Sequence, residues 1–502
     1  MNPAIDPADP LPDDDSGSLT PAERRKLSRR PSDRAVTAVL AFTGLVAAFT
    51  QTLVTPIIPE LPTLLHSSVS DATWVLTSTL LAAAISIPIS GRLGDMYGKR
   101  TVMLVLLGSL IVGSIICAFS SELIPVIAGR VLQGFSLGVI SLGISVLRDV
   151  LHPKSLGGAV ALVSATLGVG GAVGLPIAAV VAQNLDFHFL FWLAAILGAV
   201  GLVLVFIVVP PSTLRTGGHF DVVGAIGFAI GLIGILLAVS KGNTWGWTSP
   251  VTLALLIGGV VVLVIWGWFE LRSREPLVDL RVAARRPVLL TNLTSITIGF
   301  GFFITTAAFP ALLEAPVATG VGLGLGLVAA SLCLMPLGLV MFVMSPIAAR
   351  ISGARGPRFS LILGGGVVVV AFVIAVLLHA EVWHIILISA VVGVGVGIAY
   401  AAMPTLIMHA VPASETASAN GLNSVMRTLG STIAGTVTGL IFAGNSRVFH
   451  GLAVPTDAGF RIVFIIAAAV VLAGVISALF IPRREPSYTT TSSIPTQPGS
   501  PD

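Results

Sequence analysis

Between residues 36 and 481 the chain carries fourteen separate apolar segments, each of about twenty residues or more. Their approximate spans are 36–59, 72–92, 101–119, 123–147, 157–183, 188–209, 221–240, 250–271, 288–313, 321–349, 358–379, 383–408, 416–443 and 460–481. At ~1.5 Å of rise per residue, about 20 helical residues cross the ~30 Å hydrocarbon layer of a bilayer, so each segment is long enough to span one. Membrane strands would instead read as alternating patterns of about ten residues. Only 10% of the residues are charged and 55% are hydrophobic, against roughly 25% charged in a soluble domain. A water-soluble fold has too little polar cover at such a composition. It excludes a cytosolic enzyme, a nucleic-acid binder and a disordered chain, and leaves an all-α integral membrane protein.

Lysine and arginine placement predicts the orientation. With the N-terminus in the cytosol, the tails and one set of loops hold 22 of the 27 basic residues, and the other set holds Lys241, Arg447 and Arg461. Both termini are therefore expected to be cytosolic, in a multi-pass protein of the cell (inner) membrane. Residues 1–35 and 482–502 are polar and proline-rich, without the apolar run of a signal peptide, and read as disordered cytosolic tails. The net charge of +4 is spread over short loops without an aromatic-basic patch, so no nucleic acid is expected. Cys117 and Cys333 lie far apart in apolar stretches and read as small hydrophobes. The eight histidines show no ligand spacing, and no phosphate-binding loop or nucleophile elbow appears, so neither a metal nor a cofactor is expected.

An internal repeat organises the segments. Pro88-Ile-Ser-Gly-Arg92-Leu-Gly-Asp95-Met-Tyr-Gly98-Lys-Arg100 aligns with Pro346-Ile-Ala-Ala-Arg350-Ile-Ser-Gly353-Ala-Arg-Gly356-Pro-Arg358 at a constant offset of 258. Gly134 and Gly138 match Gly393 and Gly397 more weakly. Segments one to six (36–209) and nine to fourteen (288–481) thus read as two related six-helix bundles. Residues 210–287 supply an inserted helix pair and a cytosolic linker. Two homologous bundles can enclose a site that opens to one side and then to the other, which is the shape of a secondary transporter.

The residues also carry a resemblance. Gly91-Arg-Leu-Gly-Asp95-Met-Tyr-Gly98-Lys-Arg100 resembles the cytosolic loop signature of the major facilitator superfamily, and Arg130-Val-Leu-Gln133-Gly134 resembles its fourth-helix motif. Gly168-Val-Gly-Gly171-Ala-Val-Gly174-Leu-Pro176 is similar to the fifth-helix motif of its antiporters. The stretches around Asp221 and from Glu270 to Asp279 resemble the extra helix pair of its fourteen-span drug:proton antiporters. The resemblance implies a major facilitator fold. It also implies export of lipophilic or amphipathic small molecules, drugs and toxic compounds among them, by proton antiport and alternating access. The same fold would serve an exporter of a specific lipid, peptide or secondary metabolite without proton coupling. The expected partners are the substrate, protons and the bilayer, with no obligate protein partner and no enzymatic reaction.

Each motif suggests a role and a plainer alternative. Gly91 lets two helices approach, and Asp95 could accept hydrogen bonds from a helix N-terminus or pair with an arginine such as Arg148. With Gly98 and Arg100 these residues would latch the cytosolic side shut; otherwise the loop merely fixes topology. A charge at mid-membrane costs about 2.5–3.5 kcal/mol, so Arg130 should face a wet cavity or a partner. The resemblance implies that Arg130 takes part in proton coupling, with Arg427 as its counterpart, unless both are structural. Gly168, Gly171, Gly174 and Pro176 would place the fifth helix at the bundle interface, or else mark ordinary small-residue packing.

The family pattern breaks in the first helix, where Thr50 stands at the usual acidic position. A threonine cannot cycle a proton near neutral pH. Glu314 remains as a candidate coupling carboxylate, or as a solvated rim residue, with Asp95 and Asp149 as alternatives at the cytosolic edge. Thr50, Gln51, Asn292, Phe302, Phe303, Asn420 and Asn423 are the expected cavity residues. So few acids suit neutral, amphipathic or weakly anionic substrates.

Overall fold

A computed structural model describes residues 32–58, 60–211, 219–273, 275–412, 415–449 and 452–482. The expected tails fall outside these residues except at their inner ends. Among the described residues, fourteen helices are long and apolar enough to cross a membrane. In order they are α1 Asp33–Ile57, α2 Trp74–Tyr97, α3 Lys99–Ala118, α4 Leu123–Val150, α5 Ser155–Asn184, α6 His188–Val208 and α7 Val222–Trp245. The series continues with α8 Pro250–Glu270, α9 Arg286–Glu314, α10 Leu327–Arg355, α11 Pro357–Leu377, α12 Val382–Ala410, α13 Thr416–Gly444 and α14 Asp457–Leu479. The protein is a multi-pass membrane protein.

Short polar side chains start several of these helices, as expected of residues that satisfy the free amides of a first turn. Ser32 accepts from the amide of Ala35, Asp221 from Gly224 and Thr456 from Gly459. Ser249 caps α8 just before Pro250, whose missing N–H costs nothing at a helix start.

Three local features depart from the sequence reading. The regular part of α1 ends at Thr52, and a 3-10 turn, Thr55–Ile57, completes it. The fourth span is two rods, Leu123–Phe135 and Gly138–Val150, rather than one helix. Between α13 and α14 a two-stranded antiparallel hairpin forms, β1 Ser446–Phe449 and β2 Leu452–Pro455. It lies outside the apolar segments, where backbone polar groups need no helix to satisfy them.

The repeat has a geometric counterpart. Gly98 and Gly356 both adopt positive φ, 102° and 87°, at the turns from α2 to α3 and from α10 to α11. A Cβ on Gly134 would lie 2.5 Å from the Thr79 carbonyl oxygen, and one on Gly393 would lie 2.4 Å from that of Leu337. Helices α4 and α2 thus touch as α12 and α10 do, at equivalent positions. Arg100 donates to the carbonyl of Phe206 at the end of α6, and Arg358 donates to that of Leu479 at the end of α14.

The inserted pair touches both halves. On α7, the Val239 carbonyl accepts from Thr436 Oγ1 of α13 at 2.8 Å, and Ser240 lies 3.5 Å from Thr77 of α2. Lys241 sits 4.8 Å over the Trp74 ring. Helix α8 turns Ile257, Val261, Val264, Ile265 and Trp268 outward. Such a face is stable only against lipid.

Candidate functional site

The two halves meet at the end of the molecule that carries Asp95. Glu415 occupies the cap position of α13, but its side chain makes no capping bond. Asp95 of α2 supplies the cap instead: its Oδ2 accepts the Ser418 amide at 3.1 Å, the bond that a helix's own first residue usually provides. The negative charge also meets the positive end of the helix dipole. Gly91 makes this approach possible, since a Cβ there would stand 2.7 Å from the Ala417 carbonyl oxygen. Four residues past Ala417, Gly421 faces the Ile87 carbonyl across the same seam. Sequence reasoning missed Gly421, whose only signal was a small residue beside Asn420.

Arg148 crosses the seam as well, though not to Asp95. Its guanidinium donates to Thr416 Oγ1 and to the carbonyls of Pro412 (3.4 Å) and Val411 (3.2 Å). A cation at the end of α12 suits the free carbonyls and the negative end of its dipole. Arg285 covers the same helix end through the Ala410 carbonyl at 3.1 Å. The cation nearest Asp95 is Lys99, at 3.9 Å, which also pairs with Asp149 at 2.6 Å. Lys99 is buried and was overlooked as a loop charge. Two expected latch residues are not at the seam. Gly98 makes the α2–α3 turn, and Arg100 packs on Phe206 within its own bundle, 5.2 Å over the ring. Beside the seam, burial and then the nearby Asp279 push the Glu415 carboxyl above its ordinary range, against the pull of Arg92 and Arg285.

Arg130 is fully buried in the first rod of α4. Its Nη1 donates to the Thr50 carbonyl (2.9 Å) and to Gln133 Oε1 (2.7 Å), and its Nε donates to the Val75 carbonyl (3.3 Å). Gln133 in turn donates to Ser114 at 2.8 Å. The Thr50 carbonyl belongs to the last turn of regular α1, where the helix leaves acceptors free. Among the described residues no carboxylate bonds this guanidinium, and Nη2 has no acceptor. Thr50 thus serves Arg130 through its backbone, while its hydroxyl turns back to the Ala47 carbonyl.

Arg427 is likewise buried without a bonded carboxylate among the described residues. It donates to Ser424 Oγ at 2.9 Å and lies 4.8 Å over the Tyr400 ring, a favourable cation–π arrangement. Phe302, half-buried, stands 6.0 Å from the same ring. Phe303 is also half-buried and packs on Gly435, and Gln51 is half-buried. The expected cavity asparagines are differently employed. Asn423 donates to Asn292 (2.9 Å) and Ser295 (2.6 Å), tying α13 to α9, and Asn420 donates to the Thr416 carbonyl of its own helix.

The fifth-helix glycines divide. A Cβ on Gly168 would strike the Met341 sulfur at 2.2 Å, and one on Gly338 of α10 would strike the Gly168 carbonyl oxygen at 2.2 Å, so this glycine does stand between the halves. Gly174 instead faces Thr52 and Phe49 of α1, and Gly171 makes ordinary contact with Thr52. Pro176 is buried within α5. Glu314, the last residue of α9, is exposed. A 370 Å³ cavity lies at that far end, lined by Gly320, Leu323, His379, Asp457 and Arg461. It holds none of the expected cavity residues.

Comparison with known proteins agrees with this arrangement. The profile of the Major Facilitator Superfamily matches residues 40–435. The chain is 24% identical to the lincomycin resistance protein LmrB of Listeria monocytogenes, over 90% of this chain and 97% of that protein. It is 25% identical to the multidrug resistance protein Stp of Mycobacterium tuberculosis, over 74% of this chain and 68% of that protein. Its fold resembles that of the human organic anion transporter MFSD10, with a TM-score of 0.62 at 16% identity, covering 89% of this chain and all of that one. With fourteen membrane-capable helices, a duplicated bundle and a match over most of its length, the chain belongs to the major facilitator superfamily and is a membrane transporter rather than an enzyme.

Proposed function

We propose that this transporter exports lipophilic or amphipathic small molecules by alternating access, with protons moving inward in exchange. The observation that carries the reading is the seam at the Asp95 end. It is held shut by a few polar bonds between halves, at Ser418, Thr416 and the end of α12. Contacts of this kind can be exchanged for water at modest cost when the bundles rock apart. The Asp95 end is read as cytosolic because the arginine-rich loops cluster there, which makes the described state closed toward the cytosol, with both termini on the cytosolic side of the cell membrane.

Export of drug-like compounds is supported by relatives named for lincomycin and multidrug resistance. Two buried arginines without bonded carboxylates favour neutral or weakly anionic cargo over polyvalent cations. Gly91, Asp95 and Arg148 act as the latch in this reading. Gly168 lets α5 and α10 slide, and Arg130 and Arg427 supply the charge that a proton or substrate must negotiate. Exposed Glu314 is a rim carboxylate. The test is reconstitution into proteoliposomes with an imposed pH gradient and a panel of amphipathic dyes. Gradient-driven accumulation of several dyes is expected. Accumulation that ignores the gradient would replace the proton with another driving force, and transport of a single compound would replace drug export with a specific exporter.

A further inference from the structure

The inserted helix pair carries two carboxyl groups aimed at one spot. Asp221, at the start of α7, uses Oδ1 to cap its helix at the Gly224 amide, 2.6 Å away. Glu270, the last residue of α8 and only 2% exposed, uses Oε1 to accept the Val278 amide at 2.7 Å. The remaining oxygens, Asp221 Oδ2 and Glu270 Oε2, are both buried and have no donor among the described residues. They lie 2.5 and 2.8 Å from the same point, where a Cβ on Gly224 would sit. Two ionised carboxylates with donor-free oxygens this close to a common point repel, and the least change that removes the conflict is a proton on one of them.

We infer that Asp221 and Glu270 form a proton-binding carboxyl pair on the inserted hairpin, and that its occupancy governs the seam at the Asp95 end. The connection is short. Val278 is held by Glu270, and the carbonyl of its neighbour Leu277 accepts from Ser418 Oγ at 3.3 Å. The Ser418 amide is the donor to Asp95. The linker thus braces the first turn of α13 while the pair is protonated. Loss of the proton leaves two facing anions, drives Glu270 from Asp221, and loosens Val278 and Leu277 beneath Ser418. Arg92 of α2 is the cation whose charge reaches Glu270, and it reaches Glu415 at the head of α13 as well. Asp279 in the linker faces Glu415 and adds negative charge, while Glu275 is engaged with His219. Arg92, divided between Glu270 and Glu415, leaves the pair short of compensation. The proton site stands on geometry alone; only the meaning of seam opening rests on the transport reading.

The test uses the full-length protein. Infrared difference spectra across a pH titration, recorded in a Glu415→Gln background to remove that raised carboxyl, should include a carboxylic acid signal that Glu270→Gln and Asp221→Asn each abolish and Glu314→Gln retains. A titration in which neither variant removes any carboxylic acid signal would overturn the site, whatever the protein transports. For the seam, spin labels go at 158 and 353, where Gly158 and Gly353 have open space above their backbones, with Cys117 and Cys333 replaced by alanine. Raising the pH should lengthen the distance in the parent. Glu270→Gln and Asp221→Asn each leave a single carboxyl with no anion opposite it, so the distance should stay short across the titration. Equal midpoints in parent and variants would overturn the coupling to the seam.

Discussion

The carboxylate of Asp95 caps the first turn of α13 from the other half of the molecule, accepting the Ser418 amide at 3.1 Å, while Glu415 at the cap position leaves that turn uncapped. A cap of this kind contributes about 1 kcal/mol, roughly a fivefold bias in a two-state equilibrium. Asp95→Asn retains an acceptor but loses the charge, and Asp95→Ala loses both. Distance measurements across the seam should find the open fraction rising several-fold in Asp95→Ala and less in Asp95→Asn. Equal opening in the two would mean that the cap is not what holds the seam.

Gly91→Ala tests the same seam sterically. Its new methyl would lie 2.7 Å from the Ala417 carbonyl oxygen, a backbone atom with no freedom to turn away. Overpacking of this sort costs about 1–3 kcal/mol. We expect roughly tenfold slower transport or more, with unchanged amounts of folded protein in the membrane.

Arg130 reaches two carbonyls and one amide oxygen on three helices through a planar fork. Lysine, a point charge on a flexible stem, cannot span them together. Arg130→Lys should therefore lower transport by about tenfold or more despite its conserved charge, measured as initial rates in proteoliposomes. Full activity would reduce Arg130 to a generic cation.

Glu415 offers a dependence on pH. Burial holds its carboxyl neutral to higher pH in the folded protein than in the unfolded chain. Its contribution is unperturbed below the ordinary glutamate range and turns unfavourable as pH rises through the raised folded value. Glu415→Gln should leave the melting temperature unchanged in acid and raise it at neutral and alkaline pH. A benefit found only in acid would reverse the sign and refute the argument.

Glu314 should be dispensable. It is exposed at the end of α9, at the far end of the molecule from the Asp95 seam. Glu314→Gln should retain gradient-driven dye transport within about twofold, the spread expected for a change at an exposed surface. Collapse of coupling in this variant would return the coupling role to this glutamate.

The sequence was most legible where physics is one-dimensional. Segment length sufficed for the fourteen helices, and the offset of 258 anticipated the paired turns at Gly98 and Gly356 and the paired roles of Arg100 and Arg358. It was least legible where rotation about a helix axis decides. Helices apolar on all sides carry no stripe to show which face turns inward. Asn292 and Asn423 were accordingly expected to line a cavity and instead bond to each other. Arg100 was assigned to the latch from its place in the motif, whereas its reach runs to Phe206. The break of α4 between Phe135 and Gly138 had no proline to announce it. The Arg148 contacts join residues more than 260 positions apart, beyond any local pattern.

A cap borrowed across a boundary has a solvent consequence. When the bundles part, the opening turn of α13 must recruit molecules from the bulk to replace Asp95, so the gate is also a hydration balance. Excluded osmolytes, which oppose newly wetted surface, should drain that crevice and hold it closed without touching a single side chain.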